Sequence, residues 1–336
     1  MPRPVPLPSR LVGQAFTPSD QRAAGLTYAR LHGSDVQRLF YGVRSVALDT
    51  STTLGRCQAL SPRLRAGDFF SHSTAAALHG IPLPLVLQRA PGLHVSTRAP
   101  GNRIRTTGVV GHRPKRSITI SRPGGVPASD PVSTWLDLAT ELTIDELIAA
   151  SDFLVSGRVI KVPGRRNEWM RNPPLATIEQ LRAAFDHNPG IRGSRLLREA
   201  LCNTRVGVDS PRETKLRMLL VRSGLPEPVI NGVVRDATGR KVGTPDLKYD
   251  QARTVLEYEG DDHRTDKLRF RSDIARRERF EDAGWRVKRV TAEDLDERPF
   301  EFVVGVHRLL RARGMQLPPL GPEARAAAFA CRNARP

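Results

Sequence analysis

The chain has 336 residues, with 53 Lys plus Arg against 35 Asp plus Glu and a net charge of +18. That length accommodates two or three cores of ordinary size, and the basic surplus favours a polyanionic partner, because neutralised phosphates release condensed counterions. Three scattered cysteines, Cys57, Cys202 and Cys331, give neither a disulfide framework nor a cysteine-based zinc site; MPRPVPLPSR lacks the apolar core of a signal peptide and no apolar run approaches the roughly 20 residues that span a bilayer, so a cytoplasmic location is expected.

In chain order, TPSDQRAAGLTYARLHGSDVQRLFYGVRSV (17–46) reads as helix, turn, helix and a short β-ribbon. Thr17 caps the first helix with Pro18 in its first turn and Gly25 at its end; Leu26 to His32 forms the second. This order fits a small winged-helix-like module over 1–60, whose second helix enters a DNA groove, and equally a helical pair packed on the next domain. Residues 61–160 form a middle α/β region: SHSTAAALHG is a helix, LHVSTR and TGVVGHR are strands, and the stretch from 129 to 155 is largely helical. His72 and His79 are seven apart and share a helix face. With no third ligand type nearby, they read as core or helix-end histidines rather than a metal site. Residues 161–194 supply a linker rich in Gly, Pro and Arg and a helix, TIEQLRAAFDHN. A new domain spans 195–316, and 317–336 is a tail with a marginal helix.

Within 195–316, Ser210 caps a helix, Pro211 takes its first position and Glu213 falls where a capping box places its glutamate. Strands follow as PVINGVVRDATG, VGTPDLKY and TVLEYEG, then an amphipathic helix over 266–283 closed by Gly284, then the strand WRVKRV. The central two strands pair across the loop 250–253, which sets Tyr249 opposite Thr254 and Asp246 opposite Glu257. One face then carries Asp246, Lys248, Val255, Glu257 and Glu259, and the other carries Leu247, Tyr249, Leu256 and Tyr258. A one-residue slip would drive acids into the apolar face. Directly opposed carboxylates repel, so the pair calls for bulk water, a retained proton or a cation between them. Opposed β-carbons about 5 Å apart suit a hard cation with oxygen ligands.

Pro245-Asp246, ten intervening residues and Glu257-Tyr258-Glu259 resemble the PD-(D/E)XK nuclease motif. With SPRETKLRMLL, LEYEGDDHR and RSDIARRERFEDAGWRVKRVT, the region 195–315 resembles the endonuclease-like domains related to very-short-patch-repair enzymes. Residues 10–160, through GVRSV and SHSTAAALHG, more weakly resemble abortive-infection type antitoxins and regulators, which begin with a winged helix. The resemblance implies an α/β (α+β) architecture ending in a restriction-endonuclease-like mixed sheet flanked by helices, and a metal-dependent DNA endonuclease. It makes Asp246 and Glu257 ligands of Mg²⁺ or Mn²⁺, with the Tyr258 carbonyl as a further oxygen. Glu213 is the additional acid near the metal, and His263 assists proton transfer or contacts the phosphate. Glu259 stands where the motif usually has lysine; Lys248, on the same face, is a substitute. Arg269, Arg271, Arg276 and Arg279 surround the next helix and are candidate phosphate contacts, while Asp273 and Arg277 are spaced for an ion pair. The alternative function is a non-catalytic DNA-binding regulator or antitoxin on a nuclease-like scaffold; RNA in place of DNA would use the same site.

Overall fold

The structure, a computed structural model, describes residues 6–98, 102–162, 169–259 and 267–330, with the backbone alone at 161, 169, 267–274 and 330. It is a mixed α and β protein that divides into two compact units, residues 1–141 with 182–192 and residues 142–181 with 193–336. The division does not follow the expected boundaries at 60, 160 and 195. Residues 40–60 share one apolar core with residues 70–128, and the helix after residue 143 packs with the C-terminal half.

The first unit opens with β1 (Ala15–Phe16), α1 (Pro18–Ala23), β2 (Arg44–Ser45) and α2 (Thr53–Leu60). Thr17 and Asp20 form a complete capping box on α1, with Pro18 in its first turn. The second helix is reduced to one 3-10 turn, Ala29–His32. The expected ribbon is reduced to a bridge between Gln37 and Ser45, and β2 pairs with β1 instead. Phe40 and Val43 are both buried, a spacing of three that a two-residue strand period cannot place on one side.

Next come β3 (Asp68–Phe70), α3 (His72–His79), α4 (Leu85–Gln88), β4 (Leu93–Thr97), β5 (Val109–His112), β6 (Ile120–Ser121), β7 (Ala128–Ser129) and α5 (Pro131–Leu138). They build a mixed sheet in the order β5-β4-β3-β7-β6. Leu93 and Val95 point into its core, so His94 and Ser96 project from the other face.

The second unit contains α6 (Ile144–Ser156), β8 (Val159–Lys161), β9 (Trp169–Arg171), the start of α7 (Ile178–Asp186), α8 (Ser194–Asn203) and α9 (Pro211–Arg222). Charges tie α6 to α9: Asp152, 1% exposed, accepts from the Thr214 hydroxyl at 2.8 Å and faces the fully buried Arg217 at 3.5 Å. Arg217 also donates to the Asn203 carbonyl at 2.6 Å and to Glu227 at 2.8 Å. Burial pushes the Asp152 carboxyl up to about 6, against the pull of Arg217.

The strands β10 (Val229–Ile230), β11 (Val234–Arg235), β12 (Lys241–Gly243), β13 (Leu247–Tyr249), β14 (Thr254–Tyr258) and β15 (Arg286–Val290) follow, with α10 (Lys267–Asp282) between the last two, and then α11 (Ala292–Asp296), α12 (Pro299–Ala312) and α13 (Pro322–Ala330). The sheet order is β10-β13-β14-β15. β13 and β14 are antiparallel with Tyr249 opposite Thr254 and Leu247 opposite Leu256, the register expected from alternation. β14 and β15 are parallel, which requires a crossover, and α10 supplies it. PVINGVVRDATG does not form one strand: Asn231 adopts φ 45°, and the chain leaves β10 to begin a separate hairpin of β11 and β12.

Both faces of this sheet are covered. Leu247, Tyr249 and Leu256 pack with Leu216, Leu219 and Leu220 of α9 and Phe302, Val303 and Val306 of α12. Val255 packs on the opposite side with Val234, Phe280, Trp285 and Val287. Among the described residues, no helix is long and apolar enough to cross a membrane.

Candidate functional site

The expected acids lie where β13, β14 and the start of α9 meet. Extending the observed register by one residue sets Asp246 opposite Glu257. The next position outward is Pro245 opposite Tyr258, and proline has no N–H to give to the ladder. The Asp246 carboxylate takes over the edge: its Oδ2 accepts the Tyr258 N–H at 2.7 Å. The Asp246 carbonyl meanwhile accepts from the Asn231 N–H at 2.9 Å. A proline followed by an aspartate thus ends the ladder and anchors the carboxylate across the hairpin.

Glu213 is 6% exposed. Ser210 caps α9 by accepting the Glu213 N–H at 3.2 Å, but the return half of the capping box does not form at Ser210. Glu213 Oε2 accepts from the Asp209 N–H and from Asn231 Nδ2, each at 3.0 Å. Burial, and then the negative charge of Asp246, push its carboxyl up to about 7, against the hydrogen bonds it accepts. Burial also raises Asp246, offset by the Tyr258 N–H and Arg276.

Asn231 is the residue that sequence reasoning missed. Its side chain spans Glu213 and the Gly207 carbonyl, the latter at 2.7 Å, while its own N–H holds Asp246. The signal was the pair Asn231-Gly232 inside an apparent strand, since Asn tolerates the left-handed conformation.

Positive charge reaches the acids from α10. Arg276 Nη2 lies 2.7 Å from Glu257 Oε1 and donates to the Thr244 carbonyl at 2.7 Å. Glu259, in the place of the motif lysine, pairs with Arg289 on β15. Lys248 is turned to the other end of the strand, where its ammonium donates to Asp250 at 2.7 Å and lies 5.7 Å from the Trp285 ring centre. It does not supply the missing cation to Asp246. Arg279 is exposed and its Nε donates to the Ala275 carbonyl at 3.2 Å. Arg277 pairs with Glu281 at 2.9 Å. His263 lies outside the described residues, as do the side chains of Arg269, Arg271 and Asp273.

The structure therefore brings Glu213, Asp246 and Glu257 together with Arg276. The ligand oxygens of the three acids do not all lie within 4.8 Å of one another. Their donor set is all oxygen and partly desolvated, which suits a hard divalent cation. No protein-family model, curated protein or solved structure matches this chain.

Proposed function

We propose that the C-terminal unit is a divalent-metal-dependent endonuclease that hydrolyses DNA phosphodiester bonds. The observation that carries this reading is the opposition of Asp246 and Glu257, backed by a buried Glu213 whose carboxyl is raised in part by the charge of Asp246. The charge of Asp246 disfavours that of the buried Glu213, and a cation at this point relieves it. Asp246 and Glu257 would hold Mg²⁺ or Mn²⁺. Such an ion polarises a phosphate oxygen and lowers the pKa of a bound water. Glu213, poised near neutrality and oriented by Asn231 and the Asp209 N–H, is suited to take a proton from an attacking water. Arg276 places a guanidinium beside Glu257, where it can pair with a phosphate. The basic surplus and the exposed Arg279 would hold the backbone.

A second reading, a DNA-binding regulator or antitoxin on a nuclease-like scaffold, draws on the ion pairs of Arg276 with Glu257 and Arg289 with Glu259. These neutralise both acids without a metal. The experiment that separates them incubates purified protein and its Asp246→Ala variant with supercoiled plasmid, a labelled single-stranded DNA and the matching RNA, in Mg²⁺, Mn²⁺ or EDTA. Metal-dependent cleavage of DNA by the parent alone supports the endonuclease. Equal, salt-sensitive DNA binding without cleavage by either protein supports the regulator, and cleavage of RNA alone changes the substrate.

A further inference from the structure

Three histidines from three separate elements meet in the first unit. His72 begins α3, His94 lies in β4, and His112 ends β5, which runs parallel to β4 with His112 opposite Ser96. Among the described residues they are the one group of three His, Cys, Asp or Glu side chains whose ligand atoms all lie within 4.8 Å of one another. The rings of His72 and His112 stack with centroids 3.8 Å apart, and those of His94 and His112 are 5.0 Å apart.

The contacts at His94 are hard to satisfy with protons alone. Its Nδ1 lies 3.0 Å from Glu141 Oε1 and 3.2 Å from His112 Nε2. One nitrogen carries at most one hydrogen. Protonated, it donates to the carboxylate and turns that N–H away from His112. Unprotonated, it sets its lone pair against the carboxylate. A cation bound at this point satisfies all three atoms. The 3.2 Å separation also matches the edge of a tetrahedral zinc site, since nitrogens at about 2.0–2.1 Å from the ion sit about 3.3 Å apart.

The surroundings are built as a ligand shell. Glu141 Oε2 is fixed by the Ser73 N–H at 3.0 Å. His72 Nδ1 lies 3.0 Å from Ser71 Oγ, which accepts from Ser96 at 2.8 Å, and 3.7 Å from Asp137 Oδ2. Asp137 is itself held by Arg116 at 2.7 Å. A carboxylate or hydroxyl on a histidine's second nitrogen is the usual means of fixing a metal-bound ring. His72 also has φ 54°, strain that a non-glycine residue keeps only where its surroundings impose it. Burial disfavours the protonated form of both His72 and His112. His72 and His112 line a cleft of about 860 Å³ within this unit, together with Lys115 and Arg192.

We propose that His72, His94 and His112 bind one divalent cation of the zinc class, with Glu141 Oε1, which meets the same His94 nitrogen, as the carboxylate ligand. Nitrogen donors separate this site from the oxygen-only cluster on β13 and β14, so it stands or falls independently of the nuclease reading.

The test titrates full-length, EDTA-stripped protein with Co²⁺ alone and then displaces it with Zn²⁺, reading the visible d–d absorbance and bound metal per chain. The parent is expected to take one tightly held equivalent with the intense spectrum of a four-coordinate site, distinct from the weak absorbance of Co²⁺ on oxygen ligands. His94→Ala and His112→Ala should lose it. Glu141→Gln should bind more weakly by roughly 10-fold or more, and His79→Ala should bind like the parent. Circular dichroism checks that the variants fold, and Zn²⁺ should raise the unfolding temperature of the parent but not of folded His112→Ala. Absence of stoichiometric Co²⁺ and Zn²⁺ binding by the parent overturns the proposal, leaving a hydrogen-bonded histidine cluster. Undiminished binding by both histidine variants overturns it equally.

Discussion

Neutralising Glu213 should make the protein more stable at alkaline pH. The carboxyl is raised from 4.5 to about 7 in the folded state. Below pH 4.5 both folded and unfolded chains keep the proton, so the group contributes no difference. Between 4.5 and 7 the unfolded chain ionises first and the folded chain holds more protons, so stability falls as pH rises. Above about 7 both are ionised and the loss is complete. At 1.36 kcal/mol per unit, the interval corresponds to a loss of about 3 kcal/mol. Glu213→Gln keeps an oxygen to accept from Asp209 and Asn231 but has no charge to bury. Urea unfolding of parent and variant in EDTA, from pH 4 to 8.5, should give curves that coincide near pH 4 and separate steadily, with the variant ahead by up to about 3 kcal/mol at pH 8. A difference independent of pH, or a variant less stable at pH 8, would refute the assignment of Glu213 as a desolvated acid strained by Asp246.

Further consequences follow from individual contacts. Arg217→Met leaves Asp152 buried without its cation and should cost about 3–5 kcal/mol in urea unfolding, since Asp152 joins α6 to α9. Asn231→Ala removes the donors to Glu213 and Gly207 and puts a β-carbon at φ 45°; a loss of about 1–3 kcal/mol is expected, with any cleavage activity reduced more than DNA binding. Arg276→Ala exposes Asp246 and Glu257 to their mutual repulsion. It should lower the unfolding temperature at neutral pH in EDTA, with the deficit closing in millimolar Mg²⁺.

The hairpin was legible because its pattern is local and redundant. Leu247, Tyr249 and Leu256 on one face and Asp246 and Glu257 on the other admit a single register, and the observed pairs are those that keep every acid out of the apolar core. Thr17 as a helix cap follows from side-chain chemistry within one turn. Contacts made over distance were not legible. The attachment of α6 to the C-terminal unit depends on Asp152 meeting Thr214 and Arg217, more than 60 positions away. The sequence reading assigned no element to 299–312, yet α12 supplies Phe302, Val303, Val306 and Leu310 to the core. His72 reads with His79 as a core or helix-end histidine, whereas its neighbours His94 and His112 come from strands whose lateral order no local pattern records. For Glu213 two readings stand side by side for a related reason. Its place at the helix start suggested a capping box, but burial beside Asp246 and Asn231 sets its contacts.

The central claim is that the opposed carboxylates of β13 and β14 hold a divalent cation. It is tested most directly by titrating Mn²⁺ into full-length protein carrying one equivalent of Zn²⁺ and reading free Mn²⁺ by electron paramagnetic resonance, for the parent, Asp246→Asn, Glu257→Gln and Glu259→Gln. The account predicts Mn²⁺ bound by the parent and by Glu259→Gln and lost from the other two. Mn²⁺ binding that survives both Asp246→Asn and Glu257→Gln, or that is absent from the parent, would contradict it.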